Sequence, residues 1–347
     1  MTNVQTLLKR FGWLAASLLA TFVLSACDFF DAAPEQRFVK GSTMGTTYSM
    51  KWYSHQNDQD EIAAAAEQLL IDVNQIMSTY IPDSELSRFN QSPSVDWVDV
   101  SSELIEVLSL SQTISDASNG QFDVTVGPLV NLWGFGPKGR VVTAPSSDQI
   151  TNTQAVVGYT NLQVDESQNR VKKVIPELYV DLSAIAKGYG VDLLAKLLEE
   201  RGIVDYLVEI GGELRISGQK PDQTPWKVAI EAPSQTLGQI QRVVSASGMG
   251  MATSGDYRNY FEENGVRYSH TIDPSTGAPI AHRLASVTVL APTCALADGL
   301  ATAFTVIGPE AAMKLAQQMG VEAFFITKTD DSFEESYTAG FEQYLVD

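Results

Sequence analysis

The chain has 347 residues, 44% of them hydrophobic, and carries 42 acidic against 23 basic residues, a formal charge of −19. That balance excludes nucleic acid as a partner and argues against unaided attachment to anionic lipid. Length and composition suit one large globular domain or two intimate lobes, with no internal repeat or low-complexity tract.

The first element in chain order is an export signal. Lys9 and Arg10 precede an apolar run from Phe11 to Leu24 that is too short to span a bilayer comfortably. Leu24-Ser25-Ala26-Cys27 follows and resembles the lipobox of bacterial lipoproteins. The resemblance implies removal of residues 1–26, lipidation of Cys27 and attachment to a membrane through that lipid. Asp28 stands where lipoproteins of Gram-negative bacteria carry an inner-membrane retention signal, so the expected address is the periplasmic face of the inner membrane. Losing Lys9 and Arg10 leaves 21 basic residues against 42 acidic, a charge of −21. An anionic ligand then needs a local cation to offset the field. Residues 27–37 read as the lipidated Cys and a tether, and 38–347 as one domain. Cys294, the other cysteine, is left without a disulfide partner and reads as a small buried hydrophobe.

Phe38 to Trp52 alternates as a strand broken at Gly41 and Gly45. Glu61 to Met77 carries Ile62, Leu69, Leu70, Val73 and Ile76 at helical spacing. Ser101 to Ser118 is a second helix with Ser101 as cap, and Ser146 to Val157 a third. Leu178 to Leu182 is a short buried strand that runs into a helix from Ile185 to Arg201, ended by Gly202. Strands are expected over Asp205–Ile216, Trp226–Ala232, Gln241–Thr253, Arg267–Ile272 and Ala285–Ala291, with Gly211-Gly212 a turn or a close approach. An apolar helix from Cys294, a helix from Pro309 to Met319 and strands near Ala323–Thr327 and Ser336–Tyr337 close the chain. Strands in hairpin-like clusters, without strict βαβ alternation, predict an α+β fold. The expected form is two lobes of largely antiparallel sheet flanked by helices, with a ligand cleft between them.

Six segments carry candidate chemistry. In the helix from Cys294, Asp298 and Thr302 lie four residues apart and share a face. A carboxylate and a hydroxyl so stacked can hold Mg²⁺ beside phosphate oxygens, or simply belong to a core helix whose Thr back-bonds and whose Asp meets solvent. Gly41-Ser42-Thr43-Met44-Gly45-Thr46-Thr47-Tyr48 sets hydroxyls between glycines and also suits a bulged strand. Tyr80 precedes the turn Pro82-Asp83-Ser84. Gln121-Phe122-Asp123 opens an aromatic-glycine run that ends at Trp133-Gly134-Phe135-Gly136, core packing or a ring-binding wall. Asp181-Leu182-Ser183-Ala184-Ile185-Ala186-Lys187-Gly188 joins a strand to a helix start, where free amides favour an anion and Lys187 adds a point charge. His270, one of three histidines, lies in Ser269-His270-Thr271-Ile272-Asp273-Pro274.

In order and spacing these six segments resemble the ApbE family of flavin transferases, from about Phe38 to the C-terminus. The resemblance implies a reaction: FAD is cleaved at its pyrophosphate, FMN moves to a Thr hydroxyl of an acceptor protein as a phosphoester, and AMP leaves. It implies Mg²⁺ held by Asp298, Thr302 and the main-chain carbonyl of Ala184. It places Met44, Tyr80, Gln121, Phe122, Asp123, Asp181, Lys187 and Ile272 around FAD, with Asp298 and His270 catalytic, His270 as general base. The acceptors it suggests are subunits of membrane redox complexes, of the sodium-pumping NADH:quinone reductase or Rnf type. Two other readings compete: an FAD pyrophosphatase with water as acceptor, and a flavin-scavenging lipoprotein without catalysis. Asp298, Thr302, Lys187 and His270 together argue against pure binding, since a binder needs no base.

Overall fold

The computed structural model describes residues 33–136, 143–234, 238–255, 260–263 and 265–346. The signal segment, Cys27 and Asp28 lie outside the described residues. Strands β1 (Glu35–Thr43) and β2 (Thr46–Ser54) form an antiparallel hairpin. Its two-residue turn is Met44-Gly45, both at positive φ, 48° and 73°, the twist a tight hairpin favours. The break expected at Gly45 is this turn. Gly41 does not break β1: Gly41 pairs with Tyr48, whose ring fills the space a Cβ would take.

Helix α1 (Gln59–Met77) is followed by a short helix α2 (Glu85–Gln91), directly after the turn residues Pro82-Asp83-Ser84. Ser84 caps α2 by accepting from the Ser87 N–H at 3.0 Å. Strand β3 (Val98–Asp99) precedes α3 (Ser102–Ala117), capped by Ser101 as expected, then α4 (Gly127–Leu132) and α5 (Ser147–Gln154). Strands β4 (Leu162–Asp165) and β5 (Arg170–Lys173) join β3 in a small sheet that alternation had not revealed.

Leu178–Leu182 is not a strand. Leu178, Val180 and Leu182 are buried, but the side-chain amide of Asn90 stands in for a ladder partner. It accepts from Val180 N–H at 2.8 Å and donates to Val180 O at 2.8 Å. The Asp181 N–H donates to Val124 O at 2.7 Å.

Then come α6 (Ala186–Glu199), β6 (Tyr206–Ile210) and β7 (Glu213–Ser217), with Gly211-Gly212 as the turn between the two strands. β8 (Val228–Glu231), β9 (Ile240–Val244), β10 (Met249–Gly255), β11 (Tyr260–Glu263), β12 (Val266–Ser269), β13 (Ile272–Asp273), β14 (Ala278–Pro279) and β15 (Leu284–Ala291) lead to α7 (Cys294–Ile307). Helix α8 (Pro309–Met319), β16 (Glu322–Lys328), β17 (Phe333–Tyr337) and β18 (Leu345–Val346) follow. The main sheet runs β1-β2-β6-β7-β10-β15-β16-β17, every neighbour antiparallel. The fold is α+β, as expected. Among the described residues no helix is long and apolar enough to cross a membrane.

Helix α7 lies in the core, buried on nearly every face, as a helix apolar all round must be. Its first turn is gripped from two sides. A Cβ on Gly188 of α6 would sit 2.4 Å from the Cys294 carbonyl oxygen, and one on Gly250 of β10 would sit 2.3 Å from the Cys294 nitrogen. Asp192 of α6 accepts from the N–H groups of Cys294 and Ala295 at 2.9 and 2.8 Å. These are free donors at a helix start, where a carboxylate is favourable. Arg215 pairs with the same carboxylate at 2.9 Å.

Candidate active site

A cavity of about 430 Å³ opens where α6, α7, the start of β7 and the end of β10 meet the segment around α4 and the loop 270–274. That size suits a small-molecule ligand. A second cavity, of about 600 Å³, adjoins it and is lined by Met44, Val73, Asn74 and Met77 among others. Tyr80, Ser183 and Lys187 line both. Tyr80 is 66% exposed and marks their junction.

The floor of the first cavity is charged. Asp298, on the second turn of α7, is 5% exposed. Its Oδ2 accepts from the Gly188 N–H at 3.0 Å. The free amide expected to meet a ligand anion at the start of α6 thus serves an internal one. Burial raises the Asp298 carboxyl, opposed by the Lys187 charge and by that N–H. Of the two readings of this helix, solvent exposure of the Asp is excluded. The i−4 back-bond is made by Thr305, to Ala301 O at 2.8 Å, while Thr302 lines the cavity.

Lys187 Nζ lies 2.6 Å from Glu213 Oε1. Glu213, the first residue of β7, is 3% exposed, and its Oε2 is buried without a hydrogen-bond partner among the described residues. Burial first, then the Asp298 charge, push the Glu213 carboxyl up to about 8, with Lys187 pulling the other way. Burial disfavours the Lys187 ammonium, yet Asp298 and Glu213 outweigh it and raise Lys187 above its ordinary value. Two carboxylates and one ammonium leave this floor net negative when all are ionised, a site poised for a further cation.

An aromatic cluster backs another part of the cavity, reaching it through Phe135. Phe261 stacks on Tyr268 with centroids 5.0 Å apart, Trp133 lies 5.3 Å from Tyr268, and Phe135 lies 5.6 Å from Phe261. Trp133 Nε1 donates to Gly277 O at 2.8 Å. The aromatic-glycine run thus packs a core and walls the cavity at once, with Phe122, Phe135 and Gly136 at the surface of the space. His270 lines the same cavity, its ring edge-on to Phe135 at 6.3 Å.

Of the residues singled out in the sequence, Tyr80, Gln121, Phe122, Asp123, Asp181, Ala184, Lys187, His270, Ile272, Asp298 and Thr302 all line this cavity, and Met44 lines its neighbour. Like Asp298, the other two acids are engaged inside the protein. Asp123 accepts from Thr125 N–H and Oγ1 at 2.7 and 2.6 Å and from Tyr159 N–H at 2.9 Å. Asp181 Oδ1 accepts from Ser183 N–H and Oγ at 2.9 and 2.6 Å. Ser275 and Gly277 turn the β13–β14 hairpin: Ser275 N–H donates to Asp273 Oδ1 at 2.8 Å and Gly277 N–H to Asp273 O at 2.8 Å.

The sequence model described as "ApbE family" matches residues 44–325. This chain belongs to the ApbE family. Among its relatives, the FAD:protein FMN transferase of Vibrio cholerae is 45% identical over 336 residues, 96% of this chain and 99% of that protein. The protein of the same description from Escherichia coli K12 is 42% identical over 318 residues, 90% of each chain. The solved flavin transferase ApbE from Vibrio cholerae superposes with a TM-score of 0.84 at 45% identity, covering 90% of this chain and all of that one. This ApbE-family chain shares the α+β fold with that structure. Sequence reasoning passed over Glu213 and Thr253, both of which line the cavity of this ApbE-family site. The Gly211-Gly212 pair was the available signal for Glu213, since it marks where a backbone turns beside Lys187.

Proposed function

We propose that the chain transfers the FMN moiety of FAD to a threonine hydroxyl of an acceptor protein, as a phosphoester, with release of AMP and dependence on Mg²⁺. The observation that carries the chemistry is the floor. A buried carboxylate, Asp298, acts on the Lys187 ammonium through charge in a cavity that Tyr80, Phe122 and Phe135 also line. FAD has two ring systems joined by a pyrophosphate, and two adjoining cavities meet at Lys187.

The residues fit a hard divalent cation. Among the described residues no group of three His, Cys, Asp or Glu side chains forms a ready metal cluster. A cation here therefore takes a mixed oxygen set, as Mg²⁺ does with carboxylate, neutral oxygens and phosphate. Asp298, Thr302 and the Ala184 carbonyl would hold it. Bound there, it supplies charge neutralisation for the pyrophosphate.

The chain's own residues do the rest. Lys187 binds the anionic bridge, and the aromatic wall orients the ring and excludes water. His270 accepts the proton of the attacking hydroxyl. The hydroxyl oxygen bonds to the FMN-side phosphorus, the bridging P–O bond breaks, and AMP departs with that electron pair. Such transfer relies on positioning and charge neutralisation. The acceptors proposed are flavoprotein subunits of membrane redox complexes. A lipid on Cys27, with Asp28 as retention signal, would hold the enzyme beside them at the periplasmic face of the inner membrane.

The test mixes the mature protein with FAD, Mg²⁺ and a candidate acceptor domain. A fluorescent acceptor band in a denaturing gel, with AMP in equal amount, is the expected result. Free FMN with AMP and a dark band would instead assign a pyrophosphatase. Retention of intact FAD would assign a binding protein. For the address, Cys27→Ser should release the protein from the membrane fraction, and unchanged fractionation would refute it.

A further inference from the structure

Lys187, Glu213 and Asp298 come from three elements, α6, β7 and α7, and meet on one floor. The ammonium faces two carboxylates and chooses one. It pairs with Glu213 at 2.6 Å, and among the ion pairs of the described residues it makes none with Asp298. Asp298 still acts on it through charge. A lysine stem is flexible, its head is a compact point charge, and a carboxylate in low dielectric attracts it strongly. What keeps the ammonium from moving over to Asp298 is the bond to Glu213.

Glu213 is suited to that task and to little else. Its side chain is 4% exposed, so it reaches neither solvent nor an incoming protein. One oxygen is on Lys187, and the other is buried without a partner among the described residues. Its place is set by the Gly211-Gly212 turn, and the Lys187 stem lies against Gly211, where a Cβ would be 3.4 Å from Lys187 Cδ. Turn and carboxylate together fix where the ammonium stands.

We propose that Glu213 is a positioning residue that holds the Lys187 ammonium off Asp298, leaving that carboxylate open to a divalent cation and the ammonium turned to the anionic bridge of the substrate. This rests on the metal reading of Asp298 given above. Without Glu213, Lys187 falls onto Asp298 and competes with the cation for its oxygens.

The test uses Mn²⁺ as the probe, titrated into the FAD-free protein and followed by electron paramagnetic resonance. The wild type should bind, and Asp298→Ala should not. Glu213→Gln should weaken Mn²⁺ binding about 10–100-fold, the usual effect of removing a group that supports a metal ligand. Adding Lys187→Met to Glu213→Gln should restore binding. Charge bookkeeping alone predicts that same pair of results, so two further readouts separate position from charge. Glu213→Asp keeps the charge but withdraws the carboxylate, and should also weaken binding. A crystal structure of Glu213→Gln should show Lys187 Nζ within about 4 Å of an Asp298 oxygen, ion-pair distance. Wild-type Mn²⁺ affinity in Glu213→Asp, or a Lys187 that stays beside position 213 in the Gln variant, overturns the proposal. Should Glu213→Gln fail to fold, Glu213→Asp carries the comparison by binding and by structure. A wild type that binds Mn²⁺ no better than Asp298→Ala overturns the metal reading, and the proposal with it.

Discussion

The two sides of the cavity are built on opposite plans. The floor is three ionisable groups brought from three elements, Asp298 held by the Gly188 N–H and Lys187 by Glu213. The wall is faced by Phe135 and backed by three more rings, Trp133, Phe261 and Tyr268, which overlap with it in a chain of contacts at 5.0–5.6 Å. In the wall each ring shares its packing with a neighbour, so the loss of one is spread. On the floor the loss of one group leaves a buried charge that only the other two can answer, at the expense of their own roles. Sensitivity to substitution should therefore divide sharply across a few ångströms.

Asp298→Ala should cut flavin transfer at least about 10³-fold, the scale of several kcal/mol of lost charge stabilisation. FAD should still bind through the wall, as ligand fluorescence would show. Wild-type transfer by this variant would erase the division between floor and wall. His270, the proposed proton acceptor, lies edge-on to Phe135 and so crosses that division. His270→Asn should lower transfer by ~10²–10⁴-fold with little change in FAD affinity. The wild-type rate should fall as pH drops through the imidazole range, since only the neutral ring accepts a proton. An unchanged rate and an unchanged pH profile would return His270 to the wall. Phe135→Leu should weaken FAD binding about two- to tenfold, matching the ~0.5–1.5 kcal/mol of an aromatic pair, and leave kcat alone. A collapse of kcat would show that the wall does chemistry after all.

The smallest effect concerns a charge that the floor's logic does not reach. Lys173 is fully buried, and its ammonium donates to the carbonyls of Asn90, Ser92 and Pro176 at 3.0, 2.8 and 3.4 Å. Burial lowers its pKa below 10.5. In the window just under that value the unfolded chain binds more protons than the fold, so stability attributable to Lys173 rises with pH there. Thermal unfolding of the wild type relative to Lys173→Met should rise across that window by on the order of a few degrees. A flat difference would mean that the carbonyls compensate the burial completely.

Much of this was legible in the chain. Asp298 and Thr302 announce themselves because a lone carboxylate in an apolar helix needs a reason, and helical spacing fixes their shared face. Ser101 and Ser146 cap their helices as local chemistry dictates. What stayed hidden depends on partners distant in sequence. Glu213 reads as an ordinary strand residue until Lys187 is beside it. Val180 looks like a strand residue, yet its partner is the side chain of Asn90, an arrangement that alternation cannot signal. Gly41 reads as a breaker because its sequence does not show that the Tyr48 ring covers it.

The grip on the first turn of α7 has a consequence for how this protein can change over time. Gly188, in the first turn of α6, would ordinarily gain up to about 1 kcal/mol from replacement by Ala. Here the added carbon meets backbone at 2.4 Å, and overpacking of that kind costs ~1–3 kcal/mol. Gly250 faces the same backbone from the other side, at 2.3 Å. No neighbour can yield, since both obstacles are main chain. In a saturation library scored for flavin transfer, these two positions should stand out as intolerant columns, although neither supplies a reacting atom. Variation can be absorbed across most of the wall, but the depth at which α7 presents its carboxylate is written into the absence of two methyl groups.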